Sequence, residues 1–123
     1  MVDRGFVTYS NDAKTAMLGV DAGLIAAVGA VSEQVARAMA EGALARSAAD
    51  VAIAVTGVAG PSGGSADKPV GLVWFAMATK TAPSETAHMV FPGDRAAVRA
   101  ATVAFALSLV GDALDFSALR KVP

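Results

Sequence analysis

The sequence predicts a single three-layer α/β domain with a mixed sheet. Two observations carry that prediction. The runs VAIAVT and LVWFAMAT contain no charged residue, as befits interior strands covered on both faces, and the elements follow one another in the order β-α-α-β-β-β-α. A chain of 123 residues has room for one core and not for two.

Each element has a local reason. GFVTYS (5–10) is rich in β-branched and aromatic residues and reads as a strand. NDAKTAMLG follows as a short helix that Ser10 caps and Gly19 ends. VDAGLIAAVGA (20–30) reads as a loose connection. Over 31–50 Val31, Val35 and Met39 repeat at helical spacing beside a charged stripe of Glu33, Arg37 and Glu41, which predicts an amphipathic helix capped by Ser32. VAIAVT and LVWFAMAT belong in the middle of the sheet. In SETAHMVF the residues Ala87, Met89 and Phe91 alternate with Thr86, His88 and Val90, the period of a half-buried strand at or near an edge. Asp94 is a natural N-cap for the last helix (94–115), whose buried side is marked by Val98, Thr102, Phe105 and Leu109; Gly111 loosens its end, and FSALRKVP reads as a tail.

Composition excludes several function classes. Ten basic residues against eleven acidic ones leave a net charge of −1, which disfavours duplex nucleic acid and anionic membranes as partners. No apolar run approaches the roughly 20 residues that cross a bilayer. Without cysteine there is no disulfide, thiol nucleophile or thiolate metal site, and MVDRGF lacks the regions of a signal peptide, so a cytoplasmic setting is expected. The lone histidine, His88, lies on the opposite strand face from Ala87, Met89 and Phe91 and reads as a surface residue, which leaves no metal site.

Three groups of residues could carry chemistry. TGVAGPSGGSADKPVG (56–71) follows the C-terminal end of a strand, where open α/β sheets place ligands. There Gly57, Gly60, Gly63 and Gly64 let backbone amides approach an anion, and Thr56 adds a hydroxyl. A plain flexible connection would have the same composition, and the spacing matches neither GxGxxG nor the P-loop. Arg95 and Arg99 stand four apart at the start of the last helix, where positive charge opposes the helix dipole. A phosphate held between that helix and the two guanidiniums would account for them, as would pairing with surface carboxylates such as Asp94. Lys14 lies near the start of its helix beside Tyr9; the dipole there lowers its pKa and favours the neutral amine of a general base. An ordinary solvated lysine would show the same pattern.

GFVTYSNDAKTAMLGV, GAVSEQVARAMAEGA, TGVAGPSGGSADKPVGLVWFA and FPGDRAAVR together resemble the CinA C-terminal domain family, which includes nicotinamide mononucleotide deamidases, over residues 4 to about 110. The resemblance implies hydrolysis of nicotinamide mononucleotide to nicotinate mononucleotide and ammonia without a cofactor or metal, by a serine nucleophile that a lysine activates. It implies that Lys14 is that lysine, that Tyr9 lines the site, and that the glycine loop with Arg95 and Arg99 holds the ribose phosphate. The family's nucleophile stands in an Ala-Glu-Ser-Cys-Thr-Gly-Gly motif before GFVTY, and these residues hold no such motif. The expectation is a domain that lacks the family's first strand and helix over 1–123, with a nucleotide-binding or assembly module without turnover as the alternative. A homo-oligomer is expected, since a sheet missing its neighbour exposes unpaired backbone and apolar surface.

Overall fold

Residues 2–120 are described by the computed structural model, with side chains to Leu114. The chain begins with an irregular segment, not with the expected strand. A strand exists only through its ladder, and residues 2–9 pair with no neighbour among the described residues. Three polar contacts tie the segment down instead: Asp3 accepts from the Ala48 amide at 3.2 Å, Arg4 donates to the Arg46 carbonyl at 3.2 Å, and the Thr8 carbonyl accepts from Lys14. Phe6 packs against the core, while Val7 and Tyr9 project into solvent.

Helix α1 (Asn11–Leu18) starts where the sequence places it, with the Ser10 hydroxyl accepting from the Ala13 amide at 3.0 Å. It ends at Gly19, whose φ of 70° is the left-handed conformation glycine adopts without steric cost. The stretch read as loose contains a further helix, α2 (Ala22–Val28). Its cap is Asp21, accepting from the Leu24 amide at 3.2 Å, and Gly29 closes it. AGLIAAV is apolar nearly all round, so it has no periodicity to reveal it. Helix α3 (Glu33–Ala45) is capped by Ser32 and buries Val35, Ala36, Met39 and Ala40. It stops at Ala45, short of the expected 50, because Arg46 leaves helical geometry and the Ser47 hydroxyl donates to the Leu44 carbonyl. At Gly42 the absent side chain matters, since a Cβ there would overlap the Leu18 carbonyl oxygen at the end of α1.

Strands β1 (Val51–Gly57), β2 (Leu72–Thr79) and β3 (Glu85–Val90) form a sheet of order β1-β2-β3. Both pairings are antiparallel, with Phe75 between Val55 and Ala87. The mixed sheet is therefore corrected to an antiparallel one: without a strand at GFVTYS, the three that form are neighbours in sequence and each runs antiparallel to the next. For the same reason β1 is an edge strand here, where an interior position was expected, and Val55 is exposed. The edge position of β3 matches the sequence reading, although Met89 on its inner face remains exposed.

The three layers are as predicted. Ala54, Ala76 and Ala78 on one sheet face meet Leu18, Val20, Ile25 and Val35 from the helical layer. On the other face Val73 and Phe75 meet Val98 and Phe105 of α4 (Arg95–Arg120), whose first free amides are capped by Asp94 accepting from Ala97 at 2.9 Å. Helix α4 passes through Gly111, since one interior glycine costs only about 1 kcal/mol, and takes in the first residues of the expected tail; 121–123 lie outside the described residues. Its outer side exposes Val103, Leu107 and Leu114. The 20 residues Arg95–Leu114 are long and apolar enough to cross a bilayer by length and composition, which corrects the statement that no stretch approaches that span.

Candidate active site

Lys14 occupies the second turn of α1 and is 7% exposed. Its Nζ donates to the Thr8 carbonyl at 2.9 Å, so the irregular segment before α1 lies over the amine. Its pKa is lowered from the ordinary 10.5, and the cause is desolvation by burial. The sequence reading reached the same direction from the helix dipole; burial, which only the fold provides, is the operative reason. Tyr9 ends this segment and is 85% exposed.

The glycine loop leaves β1 at Gly57, where a Cβ would press on the Leu72 carbonyl at 2.9 Å. The backbone doubles back through bonds from Val58 to Leu72, from Gly71 to Val58 and from Ser65 to Lys68. Gly60 and Gly63 have φ of 78° and 94°. Gly64 lies close against Val70, and a Cβ there would come within 2.8 Å of its amide nitrogen. Arg95 reaches this loop from the start of α4 and donates to the Gly60 carbonyl at 3.2 Å. Between them is a cleft of about 300 Å³ lined by Ala59, Pro61, Val70, Asp94 and Arg95. The structure thus brings the glycine loop and the first of the two arginines together. Arg99 is exposed one turn further along the helix and does not line this cleft, and neither do Lys14 and Tyr9. Thr56 is buried, with its hydroxyl donating to the Ala30 carbonyl at 2.9 Å. His88 is exposed and lies against Trp74 across the strand pair, with ring centroids 4.5 Å apart. Among the described residues no group of His, Asp and Glu could hold a metal ion.

One residue of the loop escaped the sequence reading. Lys68 donates from Nζ to the Val28 carbonyl, at 2.6 Å, and so joins the glycine loop to the end of α2. Its only signal in the sequence is that it is the sole cation between Thr56 and Gly71.

The family model of the CinA C-terminal domain matches residues 1–114. The chain belongs to that family. It is 55% identical over 105 residues to the nicotinamide-nucleotide amidohydrolase PncC of Enterobacter agglomerans and 53% identical over 105 residues to the PncC protein of Escherichia coli strain K12. In each case 85% of this chain is matched, and the match spans 64% of the relative's length. Among solved structures, the competence/damage inducible protein CihA of Agrobacterium tumefaciens superposes with a TM-score of 0.86 at 51% identity, covering 88% of this chain and 66% of that one. A second CinA superfamily protein, from Escherichia coli, gives 0.79 at 45% identity, covering 85% of this chain and 60% of that one. Family membership agrees with the α/β architecture.

Proposed function

We propose that this chain carries the base and the phosphate-holding part of an amidohydrolase that converts nicotinamide mononucleotide and water to nicotinate mononucleotide and ammonia. The names of the two PncC relatives support the substrate class. The observation that carries the reading is Lys14: a buried amine with a lowered pKa and a single carbonyl partner is a group ready to take a proton. In the mechanism the resemblance implies, that amine accepts the hydroxyl proton of a serine as its oxygen attacks the carboxamide carbon. The proton then goes to the departing ammonia, and water releases the acyl group. Tyr9 flanks the reacting amide, while the glycine loop and Arg95 hold the ribose phosphate; Arg99, one turn further along α4, is left outside the cleft. Thr56 spends its hydroxyl proton on the Ala30 carbonyl, so it offers the phosphate no donor and serves to hold the end of β1 in place.

Because these 123 residues include no serine in the family's nucleophile motif, the polypeptide they form is expected to bind nicotinamide mononucleotide and to release no ammonia above background. Calorimetric titration and an ammonia assay measure the two halves. Absence of binding would sink the proposal, and turnover that vanishes in Lys14→Ala would show that a serine on this chain completes the site.

Arg95→Ala is expected to weaken binding of the mononucleotide by about 1.5–3 kcal/mol, the range for hydrogen bonds to charged groups. Nicotinamide riboside, which lacks the phosphate, should be indifferent to the change. Equal loss for both ligands would refute the phosphate assignment.

A further inference from the structure

The connector between α2 and α3 is held at three successive carbonyls, each by a side chain from a different element. Val28 O accepts from Lys68 of the glycine loop at 2.6 Å, Gly29 O from Ser32 at the start of α3 at 2.9 Å, and Ala30 O from Thr56 at the end of β1 at 2.9 Å. Val28 closes α2, and the last carbonyls of a helix have no partner within it. An ammonium is a good donor to such a group, because a charged hydrogen bond is stronger than a neutral one.

Gly29 is shaped for this contact. Its φ is 82°, and a Cβ there would stand 2.5 Å from Lys68 Nζ, in the space the amine occupies. At its own end Lys68 is fixed by two further bonds: its amide donates to the Ser65 hydroxyl at 3.1 Å and its carbonyl accepts from the Ser65 amide at 2.9 Å. The far side of the glycine loop is therefore pinned through one side chain to the helical layer that carries Lys14, while Arg95 pins the near side at Gly60.

We propose that Lys68 is a positioning residue: through the Val28 carbonyl and the space left by Gly29 it holds the glycine loop in the conformation that receives the substrate's phosphate. The phosphate clause rests on the function proposed above; the pinning of the loop does not. Lys68 thus acts on the ligand through the backbone of the loop and not as a direct cation.

Hydrogen exchange followed by mass spectrometry on the ligand-free protein tests the pinning. Lys68→Met is expected to speed exchange of the Val58, Ser65 and Gly71 amides about tenfold or more, the order set by loss of one charged hydrogen bond. Amides in α3 and the centre of β2 should keep their rates, which shows that the variant is folded. Gly29→Ala should speed the same loop amides, and the double variant should exchange no faster than the faster single one, since both changes remove one contact. Unchanged loop exchange in Lys68→Met, or additive effects in the double variant, would overturn the proposal. Titration with nicotinamide mononucleotide then reads the consequence: binding weakens in both single variants if the loop holds the phosphate. Weakening in Lys68→Met with loop exchange unchanged would instead make Lys68 a direct phosphate ligand.

Discussion

Lys14→Met is expected to lower ammonia release from nicotinamide mononucleotide by roughly 10²–10⁴-fold, the usual contribution of a positioned acid or base, in a polypeptide where the family's serine motif stands ahead of Gly5. The same substitution should raise stability at neutral pH. Burial disfavours the charged amine, so the unfolded chain binds the proton more tightly than the folded one. Below the lowered folded pKa both states are protonated and the full penalty of burying the charge acts against folding. Between that pKa and the ordinary 10.5 the folded protein sheds the proton and the penalty is relieved, so stability rises with pH across this window. Lys14→Met removes that rise, and its stability advantage should shrink as pH climbs toward 10.5. Urea titrations of both proteins across the alkaline range measure the difference. An undiminished rate, or a pH slope of stability that the substitution leaves intact, would contradict the role given to this amine.

Phe75→Ala is expected to destabilise the fold by about 3–5 kcal/mol, the range for deleting a large buried aromatic side chain. Phe75 is 0% exposed at the centre of β2, and its ring meets Phe105 of α4 at 4.7 Å between centroids and Phe91 edge-on at 6.3 Å. Val73 and Val98 are buried with it, and Phe91, Phe105, Ala106 and Leu109 pack around them, so the helix should lose its seat before the opposite core fails. Val103→Ala, on the outer side of α4 at 59% exposure, is the control and should stay within about 0.5 kcal/mol of the parent. A loss below about 1 kcal/mol for Phe75→Ala would mean that α4 owes its position to something other than this cluster.

Much of the fold was legible because its signals are local. Ser10, Ser32 and Asp94 each accept from the amide three residues on, as their places before apolar stretches predict. The three strands fall within a residue or two of the runs that suggested them. Two of the misreadings share one cause, which is that a sequence does not display partners. GFVTYS has the composition of a strand without a neighbour to pair with; VAIAVT has that of an interior strand and stands at an edge; AGLIAAV is a helix whose uniform apolarity hides its period. At the site, Arg95 meets the glycine loop as its place in the sequence suggested, whereas the contact of Lys68 with Val28 spans 40 residues and leaves no local trace.

By itself the sequence determined the layer order, the helix caps, the three strands and the four motifs that mark the family, because propensity, capping and alternation act over a few neighbouring residues. Only the tertiary structure decided which strand is central, that Lys14 is desolvated under the Thr8 carbonyl, and that Thr56, Ser32 and Lys68 converge on three successive carbonyls of one connector. Those outcomes depend on burial and on contacts between distant segments, and both are set when the layers close on one another.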